Sequence, residues 1–303
     1  MNGIINVYKE PGYTSFDVVA RLRGILHQRK IGHTGTLDPD AEGVLPVCLG
    51  RATKVCELLT GRDKTYRAVC RLGVETDTQD LSGTVLQHYD FSQITAEQLN
   101  SVVESFQGDS MQIPPMYSAL KINGKRLYEL AREGKTVERK PRPIHISQLR
   151  LGEIDLENGI FCMEVTCSKG TYIRTLCHDI GKKLGIGAAM EQLTRTRVDV
   201  FRVEDAMKLS EIEQLAADSQ EALAAKIWQV DSLFPNVTKA KIVPEAKRLL
   251  ENGNQLPADG LVGKDGASLK KREQEQVLVY DSLGNFCAIY TYTGKSYKCT
   301  KMF

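Results

Sequence analysis

The sequence lacks any long apolar run. Its longest continuous apolar stretches, such as Val44 to Leu49, are far shorter than the ~20 residues that a membrane-spanning helix needs. The N-terminus, Met1 to Lys9, also lacks the basic start and the long apolar stretch of a secretory signal peptide. These absences predict a cytoplasmic protein that does not enter or cross a membrane.

The eight cysteines lack the spacing of a metal site. No Cys-x-x-Cys pair occurs among them and no His-x-x-x-His accompanies them, which excludes the common zinc motifs. Cys177 and His178 are adjacent, but neighbouring residues on a helix point in different directions. Several cysteines lie in apolar runs, where a free thiol packs as a small hydrophobe. We therefore predict unpaired structural cysteines in a reducing compartment, and no bound metal.

The chain has little net charge, only +2, but its charge is unevenly distributed. Residues 114–150 contain nine Lys and Arg against three Asp and Glu, a net charge of +6. Residues 237–303 carry +4, whereas residues 201–236 carry −4. Two positive segments suit a surface that contacts phosphates, and the same clustering also fits an ordinary solvated face.

The pattern of apolar residues predicts both strands and helices, without a strict strand–helix–strand repeat. The clearest hairpin is Ile144 to Leu156 with Ile160 to Cys167, joined by a turn that contains Asn-Gly. Between Thr171 and Leu184 we predict a helix, and from there to Val230 a helical, acidic stretch. This mixture favours an α+β fold, with a mixed, largely antiparallel sheet flanked by helices.

The 303 residues are enough for two domains, and Pro235-Asn236 marks the predicted boundary between residues 1–236 and 237–303. The second part is predicted to be a small β-rich module, from the segments Val277 to Tyr280, Asp281 to Asn285 and Phe286 to Tyr292.

Within the first part, residues 114–143 are basic and rich in turn residues. They contain one predicted short helix, around Leu127 to Arg132. We predict that this segment is an insertion projecting from the core.

The most informative segment is the glycine-rich loop from Gly32 to Leu45. It lacks the Gly-Lys-Ser/Thr ending of a P-loop, and a strand rather than a helix is predicted after Gly43. Asp38 precedes Pro39, which disfavours helical backbone and holds Asp38 extended. Carboxylates at positions 38, 40 and 42 also fit a metal site or a solvated acidic turn, so the residue pattern alone leaves the role of the loop open.

This loop closely resembles the catalytic motif of the TruB family of pseudouridine synthases. The likeness covers Gly-His-Thr-Gly-Thr-Leu-Asp-Pro at residues 32–39 and Gly-Val-Leu at 43–45. Residues 64–67 resemble the motif that supplies an active-site tyrosine, and residues 169–176 resemble the motif that supplies an arginine. The likeness runs in order from about residue 3 to residue 200. It includes a partial match to the N-terminal motif at Lys9, Pro11, Gly12, Thr14 and Ser15, with Glu10 between Lys and Pro.

The resemblance implies the pseudouridine synthase fold and a reaction that breaks the N–C glycosidic bond of uridine, rotates the base and rejoins it through carbon. It implies that Asp38 is the catalytic carboxylate, kept charged and oriented by Arg174. Tyr66 would stack on the extruded uracil, because an ordinary tyrosine pKa near ~10 makes a poor base at neutral pH. The reaction involves no redox change and no group donor, so no cofactor is expected.

The implied substrate is the T-arm uridine at position 55 of transfer RNA, which must be flipped out of its loop. His33 is a candidate to fill the vacated stack, and Leu193 a candidate to close the pocket wall. The C-terminal module resembles a small PUA-type RNA-binding domain. We expect a monomer without an obligate protein partner. The expected contacts to the RNA are Lys9 and the basic residues of the insertion, Lys121, Lys125, Arg126, Arg132, Arg139, Lys140 and Arg142.

Three alternatives stay open at this point. The chain could be a synthase for another RNA, ribosomal or guide-directed, although the long basic insertion and short C-terminal module favour the stand-alone tRNA form. It could be a non-enzymatic RNA-binding or RNA-folding protein with the same surface. It could also be a nucleoside or phosphate enzyme that uses the glycine-rich loop.

Overall fold

The computed structural model describes residues 1–122 and 124–303, which form nineteen strands and eight α-helices. None of the helices in this part of the chain is long and apolar enough to cross a membrane. The strands are β1 (Gly3–Lys9), β2 (Ile31–His33), β3 (Glu42–Leu49), β4 (Lys64–Leu72), β5 (Val74–Thr76), β6 (Val85–His88), β7 (Gly108–Gln112), β8 (Lys121–Ile122), β9 (Lys125–Arg126), β10 (Arg142–Asp155), β11 (Ile160–Cys167), β12 (Ala188–Val198), β13 (Phe201–Arg202), β14 (Thr238–Ile242), β15 (Leu256–Pro257), β16 (Leu261–Gly263), β17 (Gln276–Tyr280), β18 (Phe286–Tyr292) and β19 (Ser296–Met302). The helices are α1 (Ser15–Ile25), α2 (Cys56–Thr60), α3 (Ala96–Glu104), α4 (Leu127–Arg132), α5 (Ile173–Leu184), α6 (Leu209–Asp218), α7 (Gln220–Ala225) and α8 (Lys247–Glu251).

A nine-stranded sheet forms the centre of the molecule. Its strands lie in the order β1-β3-β12-β4-β11-β10-β7, with β2 paired to β3 and β13 paired to β12. Every pairing in this sheet is antiparallel except that of β12 with β3. The predicted α+β fold with a largely antiparallel sheet is confirmed.

Helix α5 packs on this sheet through one continuous apolar cluster. Alternate residues of β11 face the core, since Phe161, Met163 and Val165 are at most 1% exposed. They share the cluster with Leu176 and Ile180 of α5. Because α5 also carries Arg174, this packing fixes the helix from which that side chain extends.

Strand β12 contradicts the helical stretch that we predicted from Leu184 to Val230. Residues 188–198 form a central strand between β3 and β4. Its register on β4 shifts between Met190 and Gln192 and again between Arg195 and Arg197. Each irregularity resets which residue faces the core, so the period of two that marks a strand is broken in the sequence. Only the later part of this stretch, in α6 and α7, is helical as predicted.

The C-terminal residues form a second sheet of six strands, in the order β15-β19-β18-β17-β14-β16. The predicted β-rich module is therefore present, and Asp281 to Asn285 is the turn between β17 and β18. One apolar cluster joins the two sheets, with Ile4 and Val44 from the first and Leu278 and Ile289 from the second. The boundary at residues 236 and 237 stays a prediction.

The basic segment between β7 and β10 contains the short strands β8 and β9 and the predicted helix α4. Arg142 is the first residue of β10 and pairs with Gln112 of β7, so the end of the predicted insertion belongs to the sheet. This pairing places the base of the segment at the edge of the main sheet. Its role as a projecting insertion stays a prediction.

Gly43 lies where the glycine-rich loop enters β3, and its φ is +102°. A side-chain carbon there would collide with the backbone carbonyl of Arg195. Gly43→Ala is therefore expected to lower the free energy of unfolding by about 3 kcal/mol, measured by denaturant titration. Gly24→Ala in α1 is the matched control, because its added carbon meets open space and should stabilise the helix by about 0.5–1 kcal/mol. Equal stabilities of the two variants would contradict this interpretation.

Candidate active site

The Asp38 loop, residues 34–41, connects β2 to β3 and is held by Lys9 at the end of β1. The Lys9 ammonium donates hydrogen bonds to the backbone carbonyls of Glu10 (3.1 Å), Pro39 (2.8 Å) and Ala41 (2.5 Å). An ammonium has three N–H donors, so these bonds use its full capacity. The side chain therefore fixes the loop on the carboxyl side of Asp38.

The turn and helix that follow β1 hold the Asp38 loop at further points. The Leu37 amide donates to the Ser15 hydroxyl at 2.9 Å, and the Gly12 amide donates to the Pro39 carbonyl at 3.0 Å. Ser15 is placed by a capping box, in which Thr14 and Asp17 bond each other's backbone at the start of α1. The N-terminal motif thus holds the loop on both sides of Asp38.

Asp38 and Arg174 form an ion pair, with Arg174 Nε 3.0 Å from Asp38 Oδ2. The Asp38 side chain is 43% exposed, whereas the Arg174 side chain is 7% exposed. A ligand can therefore reach the carboxylate but not the guanidinium behind it. The structure brings these two residues together as the resemblance implies.

Arg174 uses its remaining N–H groups on three further partners. It donates to the backbone carbonyls of Thr78 (3.0 Å) and Tyr117 (2.9 Å), and its Nη1 lies 3.3 Å from Asp80 Oδ2. These contacts come from the turn after β5 and from the segment before β8. Four partners from three parts of the chain leave the guanidinium one orientation.

Asp80 is a site residue that the sequence analysis missed. Its Oδ1 accepts hydrogen bonds from the Thr78 hydroxyl (2.7 Å) and from the amide (3.1 Å) and hydroxyl (2.6 Å) of Ser82. Its Oδ2 remains for Arg174. The only signal in the sequence was the polar turn from Asp77 to Gly83, which reads as an ordinary loop.

Tyr66 and Leu193 lie on neighbouring strands, β4 and β12, beside the ion pair. Tyr66 packs at the edge of the apolar cluster that contains Leu193 and Leu37. Burial raises the pKa of Tyr66, with a further increase from the charge of Asp38, while Arg195 lowers it. A phenol with a raised pKa is ionised even less at neutral pH, so it is a poorer general base there, which favours the stacking role of Tyr66.

Buried positive charge surrounds the Asp38 loop. As whole residues, Lys9, Lys64, Arg174 and Arg195 are all buried. Lys64 donates to the carbonyls of Thr60 (2.7 Å) and Arg62 (2.6 Å). Backbone carbonyl dipoles stabilise Lys9, Lys64 and Arg195, whereas Arg174 is paired with the carboxylates of Asp38 and Asp80.

Comparison with known proteins identifies the family of this chain. The model of the TruB family pseudouridylate synthase N-terminal domain matches residues 23–173, and that of the tRNA pseudouridylate synthase B C-terminal domain matches residues 174–234. A tRNA pseudouridine synthase B of Lachnoclostridium phytofermentans is 49% identical over 314 residues, which cover 100% of both chains. The chain belongs to the TruB family.

Other TruB family proteins are similar over nearly their whole length. A tRNA pseudouridine synthase B of Listeria welshimeri is 42% identical over 294 residues, covering 96% of this chain and 93% of the relative. Among solved structures, a chain of a Cbf5-Nop10-Gar1 complex superposes with a TM-score of 0.72 at 26% identity. That match covers 99% of this chain and 84% of the other. The predicted pseudouridine synthase fold is confirmed.

His33 lies at the start of the TruB family motif, at the end of β2. Its Nδ1 accepts a hydrogen bond from the Gly35 amide at 3.3 Å. Burial lowers the pKa of His33, with a further decrease from the charge of Arg195 and an opposing increase from Gly35. The ring is therefore neutral at physiological pH, a state compatible with stacking.

The basic residues expected to contact RNA are distributed over the segment between β7 and β10. Two of them flank an aromatic ring, since the guanidinium carbons of Arg126 and Arg132 lie 5.8 Å and 5.5 Å from the ring centre of Tyr128. Arg139 differs, because it is half-buried and donates to the Pro114 carbonyl at 3.2 Å. The remaining members are exposed, and these are Lys121, Lys125, Lys140 and Arg142.

Lys9 corrects the sequence analysis, which placed it among the RNA contacts. It is 0% exposed and all its donors are bound to carbonyls, so RNA cannot reach it. Lysine is usually exposed, and nothing in the local sequence indicates that this ammonium is buried. Its function in the TruB family motif of this chain is to hold the Asp38 loop.

Burial lowers the pKa of Lys9 from 10.5 to about 8. As pH rises, the folded chain loses this proton at a lower pH than the unfolded chain does. The unfolded state therefore binds more protons between pH 8 and 10, and the free energy of unfolding rises with pH over this range. Lys9→Met is expected to be less stable than the wild type, and the difference should widen over this range by at most about 1.4 kcal/mol per pH unit. Denaturant titrations at several pH values measure this difference in the free energy of unfolding.

The matched control for this experiment is Lys30→Met, because Lys30 is exposed. It should change the free energy of unfolding by less than about 0.5 kcal/mol at every pH. A difference between wild type and Lys9→Met that stays constant across the range would contradict the prediction.

Proposed function

We propose that this TruB family chain converts uridine to pseudouridine in transfer RNA, at the T-arm uridine of position 55, and that it does so in the cytoplasm as a monomer. The observation that carries the proposal is an accessible carboxylate, Asp38, held 3.0 Å from a buried guanidinium, Arg174. The name tRNA pseudouridine synthase B, carried by relatives 41–49% identical, supports the choice of substrate.

The reaction is an isomerisation, so the atoms balance without a donor. The bond from the ribose carbon to uracil N1 breaks, a bond to C5 forms, C5 loses a proton and N1 gains one. Asp38 acts as the nucleophile or base beside the ribose–uracil junction, and attack on either sugar or base requires the same ionised, oriented oxygen. Arg174 supplies that orientation.

Tyr66 and Leu193 would hold the uracil while its bond to ribose is broken. The phenol ring offers a stacking surface, and the leucine side chain keeps water from one wall of the pocket. His33 would occupy the space left in the RNA stack after the nucleotide is flipped, which repays part of the few kcal/mol that flipping requires.

The segment between β7 and β10 would bind the RNA backbone. Its exposed Lys and Arg side chains can contact phosphates, which position the RNA without reading its sequence. The pair of arginines around Tyr128 adds a stacking surface for a single-stranded base.

The test is to incubate the protein with unmodified tRNA, without cofactor and with a metal chelator, and to map pseudouridine. We expect one modified position, in the T-arm loop, and none in a transcript whose T-arm uridine is replaced by cytidine. Binding without any product would favour the RNA-folding alternative. Pseudouridine at another position of the RNA would show that the proposed target uridine is wrong.

A further inference from the structure

Arg195 of β12 is a buried cation that the proposed reaction has not used. Its side chain is 1% exposed, and no carboxylate lies within salt-bridge distance of it among residues 1–122 and 124–303. Its guanidinium donates to the backbone carbonyls of Val44 (2.7 Å), Gly35 (3.2 Å) and Thr36 (3.4 Å). Burying a guanidinium without a counter-ion is unfavourable, so its position calls for an explanation beyond packing.

The sheet places Arg195 where three strands of the site meet. It pairs in register with Tyr66 on β4 and with Gly43 on β3. Residues directly opposite each other in an antiparallel pair have adjacent side chains. The Tyr66 side chain therefore lies next to the Arg195 side chain on one face of the sheet.

We propose that Arg195 is a positioning residue, which fixes the Tyr66 hydroxyl and the Gly35–Thr36 part of the Asp38 loop in one arrangement. This inference rests on the proposed function. Because a guanidinium has only donors, the Tyr66 oxygen is the acceptor in this proposed contact. The phenol proton is then left to be donated to the bound nucleotide, and the ring is held against rotation out of the stacking position.

The charge of Arg195 also affects the Tyr66 hydroxyl. Burial raises the pKa of Tyr66 and Arg195 opposes part of this increase, so the phenol stays protonated at neutral pH and loses less of its acidity than burial alone would cause. The same guanidinium reaches the loop two and three residues before Asp38. One side chain thus sets the relative position of the stacking ring and the carboxylate.

The kinetic test is a double-mutant cycle of Arg195→Gln and Tyr66→Phe. The single-turnover rate of pseudouridine formation is measured on a T-arm stem-loop RNA. The dissociation constant of the same RNA is measured separately. Arg195→Gln is expected to slow turnover about 10- to 100-fold with RNA affinity unchanged, because misplacing a reacting group by about 1 Å has that effect. In the Tyr66→Phe background the same change should have a smaller effect, less than about threefold.

The matched control is Arg197→Gln, the same change two residues along β12. Arg197 is exposed and donates to the Thr65 hydroxyl at 3.2 Å. We expect its turnover to equal that of the wild type. Additive effects of Arg195→Gln and Tyr66→Phe, or a loss confined to RNA affinity, would overturn the proposal. If Arg195→Gln does not fold, Arg195→Lys retains the charge without the planar fork and should give the same non-additivity.

A second measurement needs no RNA and separates this inference from the proposed function. Tyrosines labelled at the phenol carbon are followed by NMR, and the Tyr66 resonance is assigned by its absence in Tyr66→Phe. Arg195→Gln should shift that resonance at neutral pH and Arg197→Gln should not. An unshifted resonance would refute the contact even if the enzyme proves active. A shifted one would support the contact even if the substrate is another RNA.

Discussion

Asp38→Asn is expected to abolish pseudouridine formation and to leave RNA binding within about threefold of the wild type. The amide keeps the shape of the side chain but removes its charge and its nucleophilicity. Loss of a nucleophile typically lowers the rate by on the order of 10⁴-fold or more. RNA affinity should persist because the exposed basic residues between β7 and β10 are untouched.

The measurement is a single-turnover assay on unmodified tRNA, with binding determined by filter retention of the same RNA. Asp40→Asn is the matched control, because Asp40 is an exposed carboxylate of the same loop. We expect that variant to retain activity within about threefold, since a surface change in a loop already held by Lys9 leaves Asp38 in place. Full activity of Asp38→Asn would refute the proposed mechanism.

The local parts of this site were predictable because each depends on a short stretch of sequence. The hairpin of β10 and β11 and the helix α5, which carries Arg174, both follow from the order of neighbouring residues. The loop around Asp38 could be identified because eight consecutive residues resemble one motif. The proximity of Asp38 to Arg174 was accessible only through that resemblance, since 136 positions separate them in the sequence.

The remaining parts depend on contacts between distant residues. Asp80 and the Tyr117 carbonyl reach Arg174 from two other segments, and a backbone carbonyl leaves no signature in residue type. Strand β12 was missed because its two register shifts break the alternation. Arg195 resembles any surface arginine in sequence, and only the pairing of β12 with β3 and β4 shows that it is buried.

Arg174→Lys is expected to lower turnover by about 10²- to 10³-fold while tRNA binding stays within about threefold. A lysine ammonium retains the charge, but it is a single point and cannot reach four partners at once. If it stays near Asp38, the carbonyls of Thr78 and Tyr117 lose their donors. If it moves to them, Asp38 loses its partner and its fixed orientation.

Arg71→Lys is the matched control for this change. Arg71, like Arg174, is ion-paired, and it lies 2.7 Å from Glu191. It is on strand β4, five residues from Tyr66, which places it on the opposite face of the sheet. We expect its turnover to equal that of the wild type. The turnover of both variants is compared per folded molecule, at a temperature well below the midpoint of their thermal unfolding. A loss of stability then does not lower the measured rate. Normal turnover in Arg174→Lys would mean that charge alone suffices behind Asp38, and that the four contacts of Arg174 serve the fold and not the reaction.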